Sequence, residues 1–151
     1  MPTSLAEVYL HLVFATKKRT PWLEPKELRI RLYEYLNGIC RNLGSPAICI
    51  GGVADHVHIA LRMSRELSIA DMLREMKRSS SVWIRQQPGD TQDFHWQDGY
   101  SAFSVSPSHM NALVGYIRTQ DEHHRKTSYH DELIEILKKY DVAYDERYLF
   151  D

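Results

Sequence analysis

The chain has little cysteine. Cys40 and Cys49 are the only two, and they show neither the paired spacing of a zinc site nor the even framework of a secreted disulfide scaffold. Both read as small buried apolar residues. Long apolar runs are also missing: the stretch from Leu10 to Ala15 is too short to cross a bilayer. Met1-Pro2-Thr3-Ser4 carries neither the basic segment nor the apolar core of a signal peptide. A cytoplasmic protein with no membrane partner is expected. There are no repeats, no low-complexity tract and no linker, so 151 residues should make one domain. A strong charge of either sign is absent too, with a net value of −1, which at first sight speaks against a polyanionic partner.

That net value averages over two unlike regions. From Asp131 to Asp151 seven acids (Asp131, Glu132, Glu135, Asp141, Asp145, Glu146, Asp151) face Lys138, Lys139 and Arg147, which is −4 and leaves +3 for the rest of a chain of net −1. A mildly basic body carries an acidic tail. With 43% hydrophobic and 26% charged residues, the composition is that of an ordinary globular protein.

Val8 to Ala15, Val-Tyr-Leu-His-Leu-Val-Phe-Ala, is a β-branched and aromatic run of strand length. After Lys17-Lys18-Arg19 and Pro21, a helix opens at Pro25 with Leu28, Leu32, Leu36, Ile39 and Leu43 in step, and stops at Gly44. Ala47 to Ile50 reads as a second strand, Gly51-Gly52 as a bulge or turn, and His56 to Leu61 as a third strand. Ser68 can cap a second helix with Ile69, Met72, Leu73, Met76 and Trp83 on its apolar side, ending before Pro88-Gly89. Phe94 to Trp96 and Ser101 to Val105 suggest an interrupted fourth strand, and a third helix is expected from about Ser108 to Lys126. A short last helix places Leu133, Ile136, Leu137 and Tyr140 in step, before an aromatic tail of Tyr144, Tyr148 and Phe150.

The order β-α-β-β-α-β-α predicts an α+β sandwich of the ferredoxin-like or RNA-recognition-like kind: a central antiparallel sheet, helices packed on one side, and the other face free for a site or a partner.

Two pairs of residues carry possible chemistry. His56 and His58 are two apart on a strand, so both imidazoles leave the same face and can bind one metal ion, although such pairs are often only structural. Tyr116 and Gln120 are at i and i+4 on the third helix, along the edge of a stripe formed by Met110, Leu113, Val114 and Ile117. A border tyrosine with a solvated glutamine is the plainer explanation. Gly115 weighs against it, because a mid-helix glycine costs about 1 kcal/mol relative to alanine and suggests a close approach there. Two imidazoles and an amide oxygen would give a divalent ion three ligands and leave positions open for phosphate oxygens. A phenol of pKa near ~10 is a poor nucleophile unless a cation favours the phenolate.

With these residues in place the chain resembles the single-tyrosine HUH transposases of the smallest bacterial insertion sequences, named for a His-hydrophobic-His motif. The resemblance covers nearly the whole chain: His11-Leu12-Val13-Phe14 with its basic turn, Asp55-His56-Val57-His58, Trp96-Gln97-Asp98-Gly99-Tyr100, Tyr116-Ile117-Arg118-Thr119-Gln120, and Tyr144-Asp145-Glu146-Arg147-Tyr148-Leu149-Phe150. It implies that His56, His58 and Gln120 bind magnesium or manganese and that Tyr116 attacks a phosphate of single-stranded DNA. A 5′-phosphotyrosine link, a free 3′-hydroxyl and recognition of DNA hairpins follow from it. So does a homodimer in which one subunit's tyrosine helix can complete the other's site. No small organic cofactor is implied.

Lys17, Lys18 and Arg19, with Arg74, Lys77 and Arg78, are the candidate phosphate contacts. His124 is one turn after Gln120, and both it and His123 are assigned to solvent or DNA. Asp55 can orient a ligand histidine. Two other readings stay open: a domesticated nickase that processes repeated hairpins by the same chemistry, and a non-catalytic sheet that stacks single-stranded bases on aromatics such as Tyr9 or Tyr100.

Overall fold

A computed structural model describes residues 4–120 and 128–149. Strand β1 (Tyr9–Ala15) leads through a short 3-10 turn, Lys17–Arg19, to helix α1 (Lys26–Asn42). The hairpin of β2 (Ala47–Gly52) and β3 (His56–Arg62) follows, then α2 (Ile69–Arg85), β4 (Ser101–Val105), a 3-10 turn at Pro107–His109, and α3 (Met110–Arg118). Helix α4 (Tyr129–Lys139) and a last turn, α5 (Glu146–Leu149), complete the described elements. The four strands form one antiparallel sheet in the order β2-β3-β1-β4, the ferredoxin-like arrangement that the element order predicts.

The pleat sorts side chains to two faces. Leu10, Leu12 and Phe14 of β1, with Val57, Ile59 and Leu61 of β3, pack against Leu32, Leu36 and Ile39 of α1 and Met72, Leu73 and Met76 of α2. This is the main core. Ser68 caps α2 by accepting from the Asp71 backbone N–H at 3.1 Å, and Gly44, at φ 66°, ends α1 in the left-handed conformation that glycine adopts without strain.

The second face is covered as well, where a free surface was expected. Leu113 and Ile117 of α3 pack on Ala60 and Val105, and Tyr129, Leu133, Ile136 and Leu137 of α4 pack on Val13, Ala15 and Phe103. The expected arrangement of helices on one side is therefore corrected to two helices on each. The reason lies in the stripes of α3 and α4, which are too apolar to stay in water and find the alternate residues of β1, β3 and β4.

Three further boundaries differ from the sequence reading. Helix α3, expected from about Ser108 to Lys126, ends at Arg118, where Thr119 leaves the helical conformation ahead of Gln120. Phe94 and Trp96 do not form a ladder. Both rings are buried edge-on in the core, at 4.9 Å from each other, and only Trp96 bridges β1's extension at Thr16. The irregularity in β2 falls between Ala47 and Cys49, ahead of the glycines. Gly51 has another use: a Cβ there would stand 2.7 Å from the Ile117 carbonyl oxygen of α3.

Candidate active site

Gly51 pairs with His58 across the β2-β3 hairpin, and the missing side chain lets the end of α3 close onto the sheet beside that histidine. Tyr116, one residue before Ile117, therefore sits with its ring 5.7 Å from the His58 ring and nearly perpendicular to it. Gly115 was expected to mark a close approach. A Cβ there meets nothing within 4 Å, so the tight contact belongs to Gly51 and not to the helix glycine.

His56 and His58 project from the same face of β3, and both are fully buried. Their registers place them opposite Ala15 and Val13 of β1. Each ring is held at Nδ1: His56 by Asp55 Oδ1 at 2.7 Å, His58 by His11 Nε2 at 2.8 Å. The two Nε2 atoms turn toward one carboxylate oxygen, Oε1 of Glu132 on α4, at 3.4 Å from His56 and 2.7 Å from His58. Potential ligand atoms of His56, His58 and Glu132 all lie within 4.8 Å of one another.

In sequence Glu132 counts only as one of the acids of the acidic tail, and its place here is what the sequence reading missed. It is 3% exposed. Its spacing carried a signal: Tyr129, Glu132, Leu133, Ile136 and Leu137 are the buried positions of α4, so a carboxylate occupies the apolar stripe. A buried carboxylate needs partners, and the two imidazoles and the Tyr116 phenol provide them.

Gln120, the third metal ligand that the resemblance implies, is 2% exposed, so the plainer reading as a solvated glutamine at a helix edge does not hold. Its amide is close enough to Tyr116 to favour the phenolate, yet neither amide atom meets a partner at hydrogen-bond geometry among the described residues. A buried amide in that state is unusual and fits a ligand for a cation. The two imidazole nitrogens and the Glu132 carboxylate oxygen make a donor set suited to a divalent ion, to which the Gln120 amide would add an oxygen.

The electrostatics point the same way. Burial, then the negative charge of Glu132, pushes the Tyr116 phenol well above its ordinary value. Burial opposes a charge on His56, but hydrogen bonds and attraction from Asp55 and Glu132 outweigh it and raise that pKa. Burial lowers His11 to about 3, which keeps this ring neutral. A raised phenol beside a carboxylate that two imidazoles flank is a setting in which a cation would favour the phenolate.

Beside it runs a cleft of about 620 Å³, bounded among others by His11, Leu113, Tyr116, Glu132, Lys139 and Tyr140. Of the expected phosphate contacts, Lys17, Lys18 and Arg19 follow β1 directly at the His56 end of the sheet, where Thr16 N–H donates to the Asp55 carbonyl at 2.8 Å. Arg74, Lys77 and Arg78 are not brought to the site, because α2 lies on the opposite sheet face. Arg74 and Arg78 bond to Asp71 and Glu75 on their own helix, and Lys77 donates to the carbonyls of Gln97 and Gly99 at 2.6 and 2.7 Å. His123 and His124 lie outside the described residues.

The family described as IS200-like transposase matches residues 4–120. Among solved structures, a candidate transposase from Deinococcus radiodurans R1 is similar over 80% of this chain and 95% of its own, at 22% identity and a TM-score of 0.59. A REP-associated tyrosine transposase bound to a REP hairpin is similar over 96% of this chain and 90% of its own, at 13% identity and a TM-score of 0.61. No curated protein matches the sequence.

Proposed function

The chain belongs to the IS200-like transposase family and is a DNA transposase of the tyrosine-nucleophile class, and from that premise we propose that Tyr116 is the nucleophile, in a site held by His56, His58, Gln120 and Glu132. The observation that carries the proposal is the buried cluster of His56 and His58 from β3 with Glu132 from α4, with Tyr116 of α3 standing over His58 beside an open cleft.

In the proposed reaction the Tyr116 phenol gives its proton to Glu132, whose charge already acts on the phenol. The phenolic oxygen bonds to phosphorus, the bond from phosphorus to the 3′ oxygen breaks, and that oxygen leaves as a hydroxyl with a proton from solvent. The product is a 5′-phosphotyrosine. A magnesium or manganese ion on the two imidazoles, Gln120 and Glu132 would polarise the phosphate and favour the phenolate, and the two nitrogen donors tilt the choice toward manganese. Asp55 fixes the His56 ring so that its Nε2 faces the ion.

The substrate in this reading is single-stranded DNA bearing hairpins, as the REP hairpin held by one structural neighbour suggests. Lys17, Lys18 and Arg19 would meet phosphates next to the nick, and Arg74, Lys77 and Arg78 only a stem far from it. A sheet that stacks bases on its open face is disfavoured, since α3 and α4 cover that face. The protein would act in the cytoplasm; no helix among the described residues is long and apolar enough to cross a membrane. It would act as a homodimer, although Tyr116 stands here over its own chain's His58. Processing of repeated hairpins by a domesticated enzyme would use the same site.

A denaturing gel of protein with labelled hairpin-bearing single-stranded DNA and Mn²⁺ tests the core of the proposal. Wild type should give a covalent adduct and Tyr116→Phe none. Cleavage by Tyr116→Phe at the wild-type rate would eliminate the tyrosine assignment.

A further inference from the structure

We propose that His11 is a positioning residue that fixes the imidazole of His58 for metal binding through Nε2. The proposal rests on the reading of His56 and His58 as metal ligands. A histidine that binds an ion through Nε2 keeps its proton on Nδ1 and must donate it to a fixed acceptor, which sets both the tautomer and the ring orientation. For His56 that acceptor is Asp55. For His58 the atom placed to accept is Nε2 of His11, which lies 2.8 Å from His58 Nδ1.

The placement comes from the sheet. His11 pairs with Ala60 and Val13 with His58, so His11 is the diagonal neighbour of His58 on the same face. The two rings stack at 5.1 Å with 22° between their planes. His11 is 2% exposed and His58 fully buried, and Nδ1 of His11 has no hydrogen-bond partner among the described residues. The hydrogen bonding of the His11 side chain is thus directed at His58.

An imidazole suits this position better than a second carboxylate. Asp55 and Glu132 already bring two negative groups to the buried pair, and a third would have to be desolvated. A neutral imidazole can also donate or accept. It can therefore satisfy His58 Nδ1 while Nε2 is bonded to Glu132, as it is here, and can accept from Nδ1 once an ion takes Nε2.

A space-filling role for His11 is the alternative, since its ring also lies 6.0 Å from Phe103 and 6.3 Å from Tyr140. Two variants separate the two roles. His11→Phe keeps an aromatic ring and loses the acceptor, whereas His11→Gln loses the ring and keeps an acceptor.

Binding of Mn²⁺ is measured without DNA, by the loss of the free ion's electron paramagnetic resonance signal, with circular dichroism to check the fold. His11→Phe is expected to weaken Mn²⁺ binding about 10- to 100-fold, and His11→Gln to recover most of that loss. Nicking by His11→Phe should fall at limiting Mn²⁺ and return at saturating Mn²⁺. Wild-type Mn²⁺ affinity in His11→Phe, or equal weakness in both variants, would overturn the proposal. If His11→Phe does not fold, His11→Met replaces it, and His11→Gln binding Mn²⁺ no more tightly than His11→Met overturns it equally. A wild-type protein that takes up no more Mn²⁺ than a His56→Ala, His58→Ala double variant would overturn both this proposal and the metal reading beneath it.

Discussion

Replacing Glu132 by glutamine tests the residue that only the folded chain exposes as functional. The side chain is 3% exposed, its Oε1 lies 2.7 Å from His58 Nε2 and 3.4 Å from His56 Nε2, and its charge helps to raise the Tyr116 phenol. Glutamine has the same length, so no cavity opens. Losing the charge weakens hydrogen bonds to the carboxylate by about 1–2 kcal/mol, while burying an amide instead of an ion recovers several kcal/mol of desolvation. These terms oppose each other, so stability should change by no more than about 2 kcal/mol in either direction, or roughly 8 °C in Tm for a chain of this size. Catalysis lacks that compensation. The variant loses a proton acceptor, which alone costs about 10²- to 10⁴-fold in rate, together with one anionic ligand for the metal. Single-turnover formation of the covalent adduct, followed over a Mn²⁺ titration, measures both effects. Adduct formation at the wild-type rate at every Mn²⁺ concentration would show that Glu132 neither takes the proton nor binds the metal.

Alanine at His56 or His58 should abolish adduct formation, whereas Gln120→Ala should impair it less because an amide is the weakest of the ligands; full activity in the His56→Ala, His58→Ala double variant would remove the metal hypothesis. The glycines should behave oppositely in thermal melts. Gly51→Ala forces a Cβ to 2.7 Å from the Ile117 carbonyl oxygen and should destabilise by about 1–3 kcal/mol, while Gly115→Ala fills open space and should stabilise by up to about 1 kcal/mol; equal melting temperatures for the two variants would contradict the packing described for α3. In chelator, the raised pKa of His56, where Asp55 and Glu132 outweigh burial, means that its protonation stabilises the fold fully below the unfolded value of about 6.5 and that this contribution is lost as pH rises through the folded value. The stability difference between wild type and His56→Asn should accordingly shrink from pH 6 to pH 9, and a difference that grows would refute the assignment. Light scattering at micromolar concentration should give a dimer mass, and a monomer would count against a shared assembly.

Local sequence determined much of this protein. The β-branched run of β1, the leucine spacing of α1 closed by Gly44, and Ser68 ahead of α2 each act within a few residues, so the elements and their order were readable, and with them the antiparallel sheet. The strand period alone put His56 and His58 on one face, whereas α3 ends at Arg118, so the expected i,i+4 spacing on one helix does not relate Tyr116 to Gln120. What joins the two pairs is not local. Gly51, in β2, permits α3 to descend beside His58, and no periodicity in α3 contains that information. The same holds for His11, which meets His58 only through the β1-β3 register. Glu132 lies 74 residues from His58 in sequence, in a tail read only as acidic. Only the docking of α4 on the second sheet face, driven by Leu133, Ile136 and Leu137 around it, carries that carboxylate into the site. Periodicity reports which side of an element is buried; which charges then meet inside depends on how the elements pack.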